Sequence, residues 1–158
     1  MKAILMASVF AAVALHSGVV KADSKDLVGT WSLLSSNIEK DGTKTETFGS
    51  NPKGGVIFGP DGHFALVFMR GDLPKVASNN RVVVTPEEAK VIATGLVGTF
   101  GTYTADNKFI TMHIVGATFA NWTGVDQKRE YTLTGDKLVY TSPGTTGVPT
   151  IVTLQRVK

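Results

Sequence analysis

The sequence predicts an all-β protein, a closed antiparallel up-and-down β-barrel of 8–9 strands with one short helix. Beyond residue 26, short runs of β-branched and aromatic residues alternate with turn residues at regular intervals, which is typical of strands joined by hairpins. Only residues 79–108 contain a pattern that favours a helix. A series of paired strands leaves a free edge unless the sheet closes on itself, and closure gives the barrel an interior.

Nine strands are predicted, with turn residues between them. Their predicted spans are 28–38, 43–49, 54–59, 63–70, 98–105, 108–118, 126–134, 137–142 and 149–157. Asp41-Gly42, Asp61-Gly62 and Asp106-Asn107 are pairs that tolerate the positive φ angles of tight hairpins. The simplest topology is therefore a succession of antiparallel hairpins.

One helix is predicted between the fourth and fifth strands. Thr85 as N-cap, Pro86 at the first helical position and Glu88 form a capping box, and Gly95 is the expected C-cap. The preceding residues 71–80 are polar and predict a loop. Loop and helix together form a long excursion between two strands, placed either as a lid over one mouth of the barrel or as a plug that fills it.

The first 22 residues predict a secretory signal peptide. The positive end Met1-Lys2 precedes an apolar run over residues 3–15, and Val20-Lys21-Ala22 ends in a small residue suited to cleavage. The apolar run is shorter than the roughly 20 residues that a membrane helix needs. We therefore expect residues 23–158 to form one exported domain, located in the periplasm or secreted.

Composition excludes several classes of partner. Without Lys2 and Lys21, the 16 basic residues fall to 14 against 13 acidic residues, a net charge of +1. Such a chain lacks the basic field on which binding to nucleic acid or to an anionic membrane surface depends. The sequence has no cysteine, so the exported fold has to be stabilised by its core rather than by disulfides.

The strand predicted over residues 63–70 is apolar on both faces. Phe64 and Phe68 share one face with Arg70, which ends the strand. We expect the two aromatic rings to line an apolar pocket, with the Arg70 guanidinium at its mouth. The alternative is an arginine that simply faces solvent at a strand end.

Two further strands supply candidate ligand-binding residues. Met112 and His113 lie on opposite faces of their strand, and His113 points into the barrel if the face of Met112 packs outward. Arg129 shares a face with Tyr131, which favours burial, so Arg129 needs a partner or a bound anion. His113 and Arg129 together would orient a carboxylate, phenolate or enolate, although a lone histidine is often a structural group.

Other chemistry is not indicated by the sequence. His63 and His113, with no cysteine, do not form a recognisable zinc ligand set, and no metal or other cofactor is expected. Residues 58–62 read as a hairpin turn rather than a phosphate-binding loop. No Gly-x-Ser-x-Gly elbow occurs, so a serine hydrolase is not supported.

The strand motifs resemble those of a known family. Gly29-Thr30-Trp31 resembles the Gly-x-Trp opening of lipocalins and related calycin-type barrels, and Arg156 matches the basic side chain that those barrels place across the tryptophan. The ordered series of motifs is similar to the bacterial and fungal lipocalin-like domain family over nearly all of residues 23–158. The matching segments are 27–33, 54–58, 61–64, 101–103, His113, and 121–124 with Arg129.

The resemblance implies a barrel that binds a small molecule, with His113, Trp122 and Arg129 in the cavity or at its rim. Because some fungal members of the family sit beside biosynthetic enzymes, the resemblance is also compatible with a cyclase or isomerase role. We predict an exported protein that binds a small apolar or aromatic molecule carrying an anionic or carbonyl group. In this prediction the apolar wall is Phe64, Phe68, Met112 and Tyr131, while Arg129 and His113 fix the orientation of the ligand.

Two alternatives remain open at this point. One is an enzyme in which His113 acts as general acid or base and Arg129 stabilises an enolate. The other is a barrel with a solidly packed interior that acts as a protein-interaction module. Cavity volume separates the second alternative from a binding protein, because ligand pockets need about 300 Å³ or more.

Overall fold

The computed structural model describes residues 24–144 and 147–158. The predicted signal peptide lies outside the described residues. The elements are α1 (Ser24–Leu27), β1 (Gly29–Lys40), β2 (Thr43–Glu46), β3 (Lys53–Phe58), β4 (His63–Met69), α2 (Pro86–Gly95), β5 (Leu96–Ala105), β6 (Phe109–Ala117), a 3₁₀ turn (Ala120–Trp122), β7 (Asp126–Thr134), β8 (Lys137–Ser142) and β9 (Thr150–Arg156).

Eight strands close into an antiparallel barrel, which confirms the predicted fold class. The order is β1-β3-β4-β5-β6-β7-β8-β9, and β9 pairs back onto β1 from Trp31↔Arg156 to Ile38↔Thr150. The ninth strand, β2, is an extra strand that pairs only with the last four residues of β1. Asp41 and Gly42 form the intervening two-residue turn with φ angles of 51° and 73°, as expected for a tight hairpin.

The barrel interior is built from the apolar face of each strand. β4 buries Phe64, Leu66 and Phe68, and β6 buries Ile110, Met112 and Ile114. A β-bulge between Leu33 and Ser35 changes the alternation in β1, so that Ser36 turns inward after Trp31 and Leu33. Bulges shift the phase of side chains by one residue, and this one brings a hydroxyl into the interior.

One end of the barrel is closed around Trp31. Its indole is fully buried, and its Nε1–H donates to the carbonyl of Leu27 in α1 at 2.8 Å. The Arg156 guanidinium lies 4.1 Å from the indole centroid and donates to the carbonyls of Val28, at 2.9 Å, and Asp26. The predicted stacking of Arg156 on Trp31 is confirmed, and it joins the first strand to the last.

The predicted helix is confirmed as α2, with its capping box intact. The Thr85 side chain accepts from the Glu88 amide at 3.2 Å, and the Glu88 carboxylate accepts from the Thr85 amide at 2.9 Å. Gly95 is the last helical residue rather than the C-cap, since the C-cap is Leu96 in extended conformation. Two short elements, α1 and the 3₁₀ turn, were not predicted from the sequence. Within the two described segments, no helix is long and apolar enough to cross a bilayer.

Candidate functional site

A cavity of about 350 Å³ occupies the end of the barrel opposite Trp31. It lies where β1, β4 and β8 end and where β5, β7 and β9 begin, so antiparallel alternation alone places these strand ends together. The connections after β2, β6 and β8 and the last turn of α2 complete its rim. The volume lies near the lower limit of ordinary ligand pockets.

One wall of the cavity is apolar. Leu66 and Phe68 of β4 and Leu96 and Val97 of β5 line it from two neighbouring strands. Aromatic side chains from the connecting segments add to this wall. These are Phe48, whose ring meets Phe68 edge to face at 6.2 Å, and Phe119 and Trp122, whose rings meet at 5.6 Å.

The opposite wall carries most of the polar groups. Four consecutive strands of the barrel contribute them, namely β7, β8, β9 and β1. The polar residues that line this wall are Arg129, Tyr140, Ser142, Thr150 and Ser36. The cavity therefore has two chemically different sides.

Arg129 is the one cationic side chain among the residues that line the cavity. It is only 3% exposed, and its guanidinium carbon lies 5.0 Å from the centroid of the Tyr140 ring. Its Nη2 donates to Gln127 Oε1 at 2.6 Å, whereas its Nε has no hydrogen-bond partner within residues 24–144 and 147–158. No Asp or Glu of the described segments forms an ion pair with it.

Burial shifts the pKa values of both Arg129 and Tyr140. Desolvation lowers the pKa of the Arg129 guanidinium, although arginine remains protonated in proteins at neutral pH. Desolvation also raises the pKa of the Tyr140 phenol, while the adjacent guanidinium opposes that rise. Tyr140 is therefore a neutral hydroxyl beside a fixed positive charge. Its oxygen interacts with that guanidinium but forms no well-aligned hydrogen bond with any described residue.

The excursion between β4 and β5 borders the mouth of the cavity. Ala93 and Thr94 of α2 line the rim, whereas Gly95 is the one buried residue of this helix. The Glu88 carboxylate ties the preceding loop to α2 by accepting from the Ala77 amide at 2.8 Å. This arrangement places the last turn of the helix over the edge of the opening.

The sequence model of the lipocalin-like domain family matches residues 28–151. The chain belongs to the lipocalin-like domain family. This membership supports a ligand-binding barrel as the general role. Among solved structures, a redesigned β-barrel is 13% identical, with a TM-score of 0.46 over 89% of this chain and 100% of its own. A search of the curated proteins finds no match.

The predicted site residues fall into three groups. Phe68, Trp122 and Arg129 line the cavity. Phe64, Met112 and Tyr131 are buried inside the barrel but lie among the core side chains rather than along the cavity. Arg70 and His113 lie outside it.

The predicted inward orientation of His113 is wrong. The face of Ile110, Met112 and Ile114 is the buried one, so His113 points outward with 52% of its side chain exposed. Its Nδ1 lies 2.7 Å from Asp126 Oδ1 on the outer surface. The physical reason is that burial of three large apolar side chains at alternate positions, Ile110, Met112 and Ile114, outweighs burial of a face that includes a threonine and a histidine.

The predicted position of Arg70 at the mouth is also wrong. Its guanidinium forms a two-point ion pair with Asp72, at 2.9 Å from Nε to Oδ1 and 2.8 Å from Nη2 to Oδ2. Its side chain is 42% exposed and does not line the cavity. A carboxylate two residues away is close enough to capture the guanidinium locally.

Sequence reasoning missed several polar residues of the cavity, including Ser36, Tyr140 and Ser142. Alternation in the strand predicted over residues 137–142 was a usable signal, because it puts Leu138, Tyr140 and Ser142 on one face. Ser36 carried no such signal, since its inward position depends on the β1 bulge.

Among the described residues, no group of three or more potential ligands is placed to hold a metal ion.

Proposed function

We propose that the barrel cavity binds a small, largely apolar or aromatic molecule that carries an anionic group, and that Arg129 is the partner of that group. One observation carries the proposal. Arg129 is a buried cation that lines the cavity, has an unpartnered Nε and lacks a carboxylate partner among the described residues. The apolar wall accounts for the remainder of the ligand.

The electrostatics favour an anion over a neutral group. A buried charge without a partner is costly, and an ion-paired hydrogen bond at this position offsets part of that cost. Gln127 supplies only the dipole of one amide oxygen. A ligand carboxylate supplies the missing charge and an acceptor for the Nε–H, and charge-assisted hydrogen bonds of this kind are the strong ones.

Size restricts the ligand as well. A cavity of about 350 Å³ suits a compact molecule, such as one or two rings with a short side chain. A cavity of this volume also argues against the second alternative, an interaction module whose barrel interior is solidly packed. The enzyme alternative required His113 and Arg129 within about 4–6 Å of one reacting atom. Since Arg129 lies inside the barrel and His113 lies on its outer surface, the two groups cannot act together on one reacting atom.

Isothermal titration calorimetry with cinnamate and its uncharged isostere cinnamamide tests the proposal. We expect cinnamate to bind and to bind more tightly than the amide by roughly 10-fold or more, because a hydrogen bond to a charged group contributes about 1.5–3 kcal/mol. The Arg129→Met variant removes the preference. Equal affinities, or no binding of any member of a panel of apolar and aromatic acids, would contradict the proposal.

We further infer that the barrel acts outside the cytoplasm, in the periplasm or secreted, after cleavage behind Ala22. The support is the charged, apolar and small-residue order of residues 1–22. The intact mass of the protein from its producing cell tests this. A mature chain that starts at Asp23 is expected, and a chain that retains Lys2 and the apolar run contradicts it.

A further inference from the structure

The geometry points to a more specific ligand class: a ring-bearing carboxylate that has further hydroxyl or carbonyl oxygens along one edge. This inference rests on the proposed function, because it concerns the same cavity. It is carried by the distribution of hydroxyl groups beside Arg129. An acid with oxygen only at one end leaves the buried Tyr140 hydroxyl without a well-aligned partner among the described residues.

The hydroxyls lie along neighbouring strands rather than at one point. Tyr140 of β8 is in register with Val152 of β9, which is in register with Ser36 of β1. Two residues further along β8, Ser142 is in register with Thr150. Hydroxyl side chains thus occur at two successive levels of one wall, and all four line the cavity.

The strongest single indication is Tyr140. Tyr140 is 2% exposed, its hydroxyl forms no well-aligned hydrogen bond among the described residues, and its ring lies against the Arg129 guanidinium. Buried polar groups are hydrogen-bonded in most proteins, and an unpaired one costs free energy. A ligand oxygen next to the carboxylate would satisfy the phenol while the carboxylate itself meets Arg129 Nε.

The apolar wall, which lies across the cavity from the hydroxyl groups, favours a ligand with a ring over a ligand with a linear chain. Phe68, Trp122 and Val97 present flat or branched apolar surfaces across the cavity. Aromatic side chains favour stacked or edge-to-face contact with a ring. Thr99 is the exception on this wall, since its buried hydroxyl also lacks a partner among the described residues. It offers a second contact for an oxygenated ring.

A linear fatty acid fits these groups less well. Its carboxylate can meet Arg129, but its methylene chain would then lie along the hydroxyl-bearing wall. The chain would give the already buried Tyr140 hydroxyl no polar partner, and a buried polar group without a partner is unfavourable. The wall therefore selects for oxygenated rings over alkyl chains.

Calorimetric titration of the purified protein with matched acids tests the inference. The probes are cinnamate, its ortho-, meta- and para-hydroxy analogues, and octanoate as a linear acid. We expect at least one hydroxylated acid to bind roughly 2- to 10-fold more tightly than cinnamate, the gain of one hydrogen bond. Octanoate is expected to bind more weakly than that acid.

Two variants assign the preference to the wall. Tyr140→Phe, or Ser142→Ala, is expected to bring the hydroxylated acid to the affinity of cinnamate. Tyr103→Phe is the matched control, because the Tyr103 hydroxyl donates to the Gly59 carbonyl at 2.9 Å and does not line the cavity. It should leave the preference unchanged.

The possible outcomes separate the two proposals. If cinnamate binds but no hydroxylated analogue binds more tightly, or if octanoate binds best, the ligand class is overturned while the proposed function stands. If the preference exists but survives in both the Tyr140 and the Ser142 variant, the assignment to this wall is overturned. If none of these acids binds, both proposals fall.

Discussion

Two arginines stack on aromatic rings at opposite ends of this barrel, and their hydrogen bonding differs. Arg156 lies 4.1 Å from the Trp31 centroid and donates to the Val28 and Asp26 carbonyls. Arg129 lies 5.0 Å from the Tyr140 centroid and donates to the Gln127 side chain, yet its Nε has no partner among the residues that the structure describes. The first guanidinium is satisfied by the fold, and the second is not.

Hydrogen bonding, rather than aromatic stacking, distinguishes the structural cation Arg156 from the proposed binding cation Arg129. Stacking on an aromatic ring is common to both and therefore does not discriminate. The unmet donor does, because a fold rarely retains a buried unsatisfied charge without a reason. The same contrast holds for the tyrosines, since the Tyr103 hydroxyl donates to a backbone carbonyl and the Tyr140 hydroxyl forms no well-aligned hydrogen bond in the described part of the chain.

The largest expected effect is on ligand binding by Arg129→Met. Cinnamate affinity should fall by roughly 10- to 100-fold, because a charge-assisted hydrogen bond is lost. The free energy of unfolding without ligand should change by about 1 kcal/mol or less, since removal of a buried charge offsets the loss of the Gln127 contact. Calorimetry and urea denaturation measure the two quantities. Unaltered affinity would place the ligand elsewhere.

The converse is expected of Arg156→Met. The free energy of unfolding should fall by about 1–3 kcal/mol, because the contact with Trp31 and the carbonyl hydrogen bonds are lost. Cinnamate affinity of the folded protein should not change. Lys158→Met is the control, since Lys158 pairs with the neighbouring Asp136 at 2.8 Å but is 82% exposed, and it should leave stability unchanged. A loss of cinnamate binding by the folded Arg156→Met variant would contradict a purely structural role for Arg156.

The two tyrosine hydroxyls give a smaller contrast. Tyr103→Phe should lower the free energy of unfolding by about 0.5–1.5 kcal/mol, because the Gly59 carbonyl loses its donor. Tyr140→Phe should leave it unchanged or raise it slightly, since an unpartnered buried hydroxyl is removed. Thermal or urea unfolding of both variants without ligand measures this. Equal destabilisation would indicate that Tyr140 has a structural partner.

The smallest expected effect concerns the excursion over the open end. Hydrogen bonds from the Ala77 and Thr85 amides lower the pKa of the Glu88 carboxyl. A lowered pKa means that these bonds stabilise the segment at neutral pH and are lost as the pH falls through the folded-state pKa. Amide hydrogen exchange should therefore report more opening of residues 77 and 85 in acid, after correction for the intrinsic rate. In Glu88→Gln this pH dependence should disappear.

The strands could be predicted because their signals are local. All nine observed strands lie at the predicted positions, with ends that differ by three residues or fewer. Alternation placed Arg129 and Tyr131 correctly on the buried face of β7, and the Thr85–Glu88 capping box fixed the start of α2. These patterns depend on neighbouring residues and on burial, so a single sequence contains them.

The candidate site could be predicted only in part, because its formation depends on non-local geometry. His113 was placed inward although the opposite face, with Ile110, Met112 and Ile114, has the stronger claim to burial. Ser36 lines the cavity only because a bulge shifts the phase of β1. Tyr140 meets Arg129 through the pairing of β7 with β8, and neither residue alone indicates that the phenol lacks a partner.

The most direct measurement is a crystal structure of the protein with cinnamate or its best-binding hydroxylated analogue. We expect ligand density in the cavity between Phe68 and Trp122, with a carboxylate oxygen at about 3 Å from Arg129 Nε. For the hydroxylated acid, a second oxygen should meet the Tyr140 hydroxyl. A cavity closed by its own side chains, or a ligand bound on the outer surface with Arg129 untouched, would contradict it.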